Sequence, residues 1–174
     1  RMEMIQQAQH IPTQHSTGLD RELDWFADFL VQQFDVYFQS AETSLDDMLL
    51  PLDLSEEKST YAELVRTHDL GMHERVALCL ALAPHLRPEL LDLFFTINPQ
   101  LNRPFTEFGG YQGKDHNGFL PTGQTLAFLL AGRSVEGWAK LLTIFSTHHP
   151  FATEQILSLE RVSEEEPLLS GRLL

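Results

Sequence analysis

Eight histidines, one cysteine and one glycine-rich run are the features of this sequence with obvious chemical potential. His68 and His73 flank Gly71, with Asp69 and Glu74 beside them, and His148-His149 and Asp115-His116 form the other local groups. A helical zinc site needs ligands at i and i+4 with a third nearby. No group here has that spacing, so capping and surface roles are the better reading. A metal assembled from distant residues stays open. Gly109-Gly110-Tyr111-Gln112-Gly113-Lys114-Asp115 invites comparison with a phosphate-cradling loop. That motif needs four residues between its glycines, then Lys and a hydroxyl residue to ligate magnesium. Here three residues separate Gly109 from Gly113, and Asp115 stands where the hydroxyl should be, so the glycines read as turn residues.

Nucleophilic chemistry has as little support. There is no Gly-x-Ser-x-Gly elbow, and Cys79 lies inside the apolar run Val76-Ala77-Leu78-Cys79-Leu80, where a small core residue is expected. A single cysteine makes no internal disulfide, which fits a reducing compartment. Asp46-Asp47 and Glu56-Glu57 are adjacent acids on polar segments, which normally form a solvated surface. No site for a cofactor, metal or catalytic group is therefore assigned.

The elements around these residues read as mainly helical. The first 18 residues are polar and are expected to form a flexible arm. Leu19, Leu23, Phe26, Leu30, Phe34 and Tyr37 follow at spacings of 4, 3, 4, 4 and 3, one apolar helix face. Asp20, Glu22, Asp24, Asp28 and Asp35 are expected on the remaining, solvated surface. An acidic connector with Pro51 covers 40–55. Thr60-Tyr61-Ala62-Glu63 reads as a capping box opening a short helix that Gly71 ends. Met72–Ala83 reads as a central buried helix stopped by Pro84. Pro88 opens a further apolar helix through Ile97, closed by Asn98-Pro99.

Residues 98–120 interrupt the helices with a long loop that carries Phe105, Phe108, Tyr111 and Phe119, which disordered loops tend to lack, so the loop is expected to pack on the body. Pro121-Thr122 opens a helix over 123–131 ended by Gly132, and Ser134 caps another with Val135, Trp138, Leu141, Leu142 and Phe145 on one face. Alternation over 156–162 and 168–174, with Glu164-Glu165-Glu166-Pro167 between, predicts a C-terminal β-hairpin. The fold class is therefore a compact, mainly α domain over 19–174 with a small C-terminal hairpin, winged-helix-like in its order of elements.

Composition limits the partners. The chain has 174 residues with 12 basic and 25 acidic, a formal charge of −13, and is 43% hydrophobic, enough for a real core. No apolar run approaches the roughly 20 residues of a membrane span, and no signal peptide is visible at the N-terminus, so the cytoplasm is the expected location. The acidity disfavours a grip on nucleic acid, which depends on Lys and Arg displacing counterions. The helix over 123–131 carries no Lys or Arg, and three glutamates occupy the would-be wing tip. A winged-helix nucleic-acid binder is thus the lesser alternative.

Three stretches go beyond composition: Glu74-Arg75-Val76-Ala77-Leu78-Cys79-Leu80-Ala81-Leu82-Ala83-Pro84 with Pro88-Glu89-Leu90-Leu91-Asp92, then Gly118 to Gly132 through Pro121-Thr122-Gly123, then Glu166-Pro167-Leu168-Leu169-Ser170-Gly171-Arg172-Leu173. Over roughly 60–174 this succession resembles the region preceding the ATPase module in a group of bacterial AAA+ ATPases, some encoded beside contractile injection systems. The resemblance implies a non-catalytic N-terminal domain, a protein-interaction or assembly module, cut from a longer and oligomeric ATPase. ATP and magnesium would belong only to the module that follows. Walker A, Walker B and arginine-finger elements are absent from these residues, so no ATPase residue carries over. The expected partner is another protein or the parent's own ATPase module, with Arg103, Tyr111, Lys114 and His116 the candidate interaction residues of the 98–120 loop.

Overall fold

The computed structural model describes residues 17–39 and 49–174. Most of the expected arm, Asp46-Asp47 and much of the acidic connector lie outside the described residues. The chain is mainly helical with one small two-stranded antiparallel sheet. Among the described residues no helix is long and apolar enough to cross a membrane.

Helix α1 (Thr17–Gln39) is the longest element and the centre of the core. Leu23, Phe26, Leu30 and Phe34 are buried at the spacings expected, with Trp25 and Phe29 widening the face. One expectation fails: Glu22 is not on the solvated surface but 0% exposed. It is held by Arg75 of α3 (Met72–Leu86) in a two-pronged pair, Nε to Oε1 at 2.7 Å and Nη2 to Oε2 at 2.7 Å. Tyr61 of α2 (Thr60–Thr67) donates its hydroxyl to the same Oε1 at 3.1 Å, and Arg75 Nη2 also donates to the Leu52 carbonyl at 2.8 Å. A buried carboxylate needs such company, because an unpaired one is too costly to desolvate.

The helix ends differ in detail from the sequence pattern. Ser59, not Thr60, caps α2, accepting from the Ala62 amide at 3.2 Å. Helix α2 ends before Gly71, turning through Asp69 at φ 49°, and Gly71 is the N-cap of α3. Pro84 sits inside α3 rather than stopping it. In the last turn its missing N–H removes a single bond, and the Arg87 amide still closes the helix on the Ala83 carbonyl at 2.8 Å.

Pro88–Phe95 is a 3-10 helix rather than an α-helix, with Leu91 and Phe94 inward. It leads into a hairpin of β1 (Ile97–Asn98) and β2 (Arg103–Pro104), in register Ile97–Pro104 and Asn98–Arg103. Asn98 makes this turn: its side chain accepts from Gln100 at 3.0 Å and its carbonyl from Asn102, which sits at φ 50°. The 98–120 loop does pack on the body. Phe108 is fully buried, 5.2 Å from the ring of Phe34 and 4.7 Å from Phe128, and Phe119 stacks on Phe94 at 4.8 Å.

Helix α4 (Gly123–Ala131) is almost wholly buried. The Thr122 amide donates to Thr125 Oγ1 at 3.0 Å, and that hydroxyl donates to the Phe108 carbonyl at 2.7 Å, tying the loop to the helix start. Ser134 caps α5 (Val135–Leu141) through the Gly137 amide, and α6 (Pro150–Thr153) follows a 3-10 turn over Leu142–Phe145.

The C-terminal hairpin is the larger correction. Ser158 and Leu174 exchange backbone hydrogen bonds and Glu160 donates to Arg172 at 2.7 Å, but Leu168–Ser170 is a 3-10 turn, so the pairing stops there. Pro167 contributes no N–H, and its carbonyl takes the Ser170 hydroxyl, which curls the chain away from a ladder. The last four residues are instead held from both sides, because Gly123 donates to the Gly171 carbonyl at 3.0 Å and Leu173 to the Pro121 carbonyl at 3.2 Å. A Cβ on Gly171 would lie 2.2 Å from the Glu160 carbonyl oxygen, so only glycine permits this approach.

The Glu22–Arg75 pair yields a direct prediction. Arg75→Met leaves a buried carboxylate without its cation and is expected to cost about 3–5 kcal/mol. Removing the whole network in Glu22→Leu/Arg75→Met/Tyr61→Phe is expected to cost less than that single change. Guanidinium unfolding of the two variants at pH 7 checks the order.

Candidate functional site

The titratable side chains with chemical potential are drawn into joints between elements. His149, at the N-cap of α6, accepts the Phe151 amide on Nδ1 at 3.1 Å, leaving Nε2 to meet Glu74 Oε1 of α3 at 3.2 Å. Tyr37 of α1 donates its hydroxyl to Glu107, while the Arg133 guanidinium lies 4.7 Å from the centre of its ring. Burial first, then the Glu107 carboxylate, raises the Tyr37 pKa above its ordinary value, and Arg133 opposes this. Each cluster links two segments far apart in sequence.

Cys79 is fully buried beside Glu22 and Tyr61, and burial first, then the Glu22 charge, pushes its thiol pKa well up. The thiol is therefore a core group and a poor nucleophile, as its place in an apolar run suggested. Burial likewise raises the Tyr61 hydroxyl, reinforced by Cys79 and Glu22. Burial works against the Arg75 charge, but Glu22 outweighs it and holds the guanidinium pKa above its ordinary value.

The glycine loop is filled by the protein itself. Gly109 and Gly110 both have positive φ, 62° and 102°. A Cβ on Gly110 would meet the Phe119 ring at 2.5 Å, and one on Gly109 would meet Thr122 Oγ1 at the same distance. Both positions therefore require glycine, for the positive φ and for the close approach of these side chains. Among the described residues no group of three or more His, Cys, Asp and Glu is placed to hold a metal ion. A shallow, open depression of about 540 Å³ runs along 159–168, lined by Leu159, Glu160, Arg161, Val162, Glu164 and Glu166 among others.

The four loop residues singled out in the sequence do not form one cluster. Arg103 is exposed on β2, opposite Asn98. Tyr111 pairs through its backbone with Leu120 and carries the Arg172 guanidinium 5.2 Å from its ring centre. Lys114 is exposed at the loop tip, whereas the half-buried His116 ring lies across Gly118, where a Cβ would meet Nε2 at 2.5 Å. No hydrogen bond, ion pair or ring contact joins any two of them.

What the sequence reading missed is an exposed apolar ridge next to Arg103. Leu93 is 37% exposed, Phe95 47%, Ile97 47% and Leu101 65%, all within nine residues of chain. Taken as an α-helix, this run reads as core. With three residues per turn, the Pro88–Phe95 helix can turn only one row inward, so Leu93 and Phe95 are left outside. The ridge is also fixed in place. Leu91 and Phe94 anchor it from beneath, the Phe95 ring meets Phe119 edge-on at 5.7 Å, and the β1–β2 pairing closes its far end.

No family model matches this chain, and neither does any curated protein or solved structure.

The raised pKa values of Cys79 and Tyr61 predict alkaline destabilisation. Below about pH 8 both groups hold their protons, folded or unfolded. As pH rises past about 8.5 for the thiol and about 10 for the phenol, the unfolded chain releases protons that the folded one keeps. Stability then falls, at a slope approaching about 1.4 kcal/mol per pH unit per group. Guanidinium midpoints are expected to drop between about pH 8 and pH 10.5, and Cys79→Ala to flatten the first part of the drop.

Proposed function

We propose that this chain is a non-catalytic domain that binds other proteins, standing before the nucleotide-binding module of an AAA+ ATPase and serving assembly or ATP-driven remodelling in the cytoplasm. The observation that carries the protein-facing part of this reading is the rigid ridge of Leu93, Phe95, Ile97 and Leu101, since side chains held out of the core on an ordered element are what a protein partner covers. The ATPase part rests on the resemblance of the Glu74–Asp92, Gly118–Gly132 and Glu166–Leu173 stretches, and with it comes a winged-helix-like arrangement in an oligomeric parent. In this reading Arg103 borders the interacting surface, Tyr111 and Lys114 are accessible elsewhere on the same loop, and the half-buried His116 packs against Gly118.

The charge of −13 and the exposed Glu164, Glu165 and Glu166 weigh against nucleic acid, because the tip a winged-helix binder would lay on phosphate is acidic. Two measurements test the proposal. The reading frame after Leu174 is expected to encode Gly-x-x-x-x-Gly-Lys followed by Ser or Thr. Calorimetric titration of the isolated chain with Mg-ATP is expected to give no binding heat, and micromolar affinity would overturn the non-catalytic assignment.

A further inference from the structure

The ridge has a charge gradient as well as an apolar surface, and the two together describe its partner. In a 3-10 helix residues three apart eclipse one another, so Glu89, Asp92 and Phe95 form a single outward row. Arg87 stands at the N-cap of this helix, already engaged by Asp24 at 2.5 Å and Asp20 at 3.5 Å. Asp92 has no ion pair among the described residues. Asp24, Asp20 and Glu89 thus act on one guanidinium at this end, and Asp92 follows Glu89 along the row. The apolar Phe95, Ile97 and Leu101 follow, and Arg103 stands at the other end.

We infer that the ridge takes a basic amphipathic segment of a partner protein, its Lys or Arg side chains over Asp92 and Glu89 and its apolar side chains over Phe95, Ile97 and Leu101. This rests on the reading of the chain as protein-facing and adds the partner's chemistry and direction. A second copy of this chain is a poor occupant, because two bodies each carrying −13 repel. An anionic lipid surface is disfavoured by the same carboxylates. Apolar contact supplies the affinity, and the acidic end supplies attraction and orientation.

Fluorescence polarisation with three labelled helical peptides about four turns long tests this. The first has Leu along one face and Lys elsewhere, the second replaces Lys by Glu, and the third replaces Leu by Ser. The Leu/Lys peptide is expected to bind, more weakly at ~300 mM than at ~50 mM salt, and the other two are not. Phe95→Ser/Ile97→Ser, or Leu101→Ser alone, is expected to weaken binding about tenfold or more, and Asp92→Lys about threefold or more. Val135→Ser/Leu142→Ser, at two exposed apolar residues of α5 and the turn that follows it, is expected to leave it within about twofold. These positions are exposed, so unchanged melting temperatures verify that the variants fold. Equal binding of the Lys/Ser peptide, insensitivity to the ridge substitutions, equal loss in the Val135/Leu142 variant, concentration-dependent dimerisation abolished by Phe95→Ser, or binding to none of the three peptides would each overturn the inference. None of these outcomes bears on the downstream reading frame or the ATP titration, so the two proposals fail separately.

Discussion

A carboxylate with no access to water sets the geometry of this protein. Glu22 lies on the core side of the longest helix, and its two oxygens are matched by the fork of Arg75 on α3, with Tyr61 of α2 as a third donor. A buried pair of this kind adds little net stability over well-packed apolar residues, because desolvation offsets the attraction. It does constrain position. The planar guanidinium accepts only a narrow range of approach, so α1 and α3 cannot slide along one another without breaking both prongs. Apolar contact among Phe26, Phe29, Val76 and Leu80 would tolerate such sliding far better. Arg75 also reaches the Leu52 carbonyl, so the segment entering α2 is fixed by the same group.

On that frame, aromatic packing gives order to chain that lacks regular hydrogen bonding. Phe34 is ringed by Phe94, Phe108 and Phe128 within 5.2–5.7 Å. Phe108 comes from the long loop and Phe94 from the 3-10 helix, so each brings an irregular segment onto α1. Such ring pairs add about 0.5–1.5 kcal/mol each beyond their burial. The ridge of exposed residues is a by-product of the same packing: with Phe94 and Leu91 turned inward, their neighbours are presented outward on a rigid base.

The elements with a long, clean period were legible in the sequence. The spacing from Leu19 to Tyr37 gave α1, Pro121-Thr122 and Gly132 bounded α4, and Ser134 marked the start of α5. The Phe residues of the 98–120 loop announced its packing. Glu22 was not legible, because one acid among five on a helix looks like surface until its partner, 53 residues away, is known. Pro84 misled because a proline near a helix end removes so little. The 3-10 helix was hidden because its composition is that of an α-helix, and so the ridge was hidden with it. At the C-terminus the alternation was real, but Pro167 and the Ser170 hydroxyl turned half of the expected strand into a 3-10 turn. The candidate loop residues were placed on the right segment, yet chain proximity did not bring their side chains together.

The double pairing of the last residues has a mechanical meaning. Residues 171–174 lie between the 158–160 and 121–123 segments, bonded to both, and Gly171 is wedged against Glu160. Tension on Leu174 along the direction of the chain therefore loads several backbone hydrogen bonds together instead of peeling them one by one. Through Pro121 and Gly123 it is delivered to the start of α4, the most deeply buried short helix of the body.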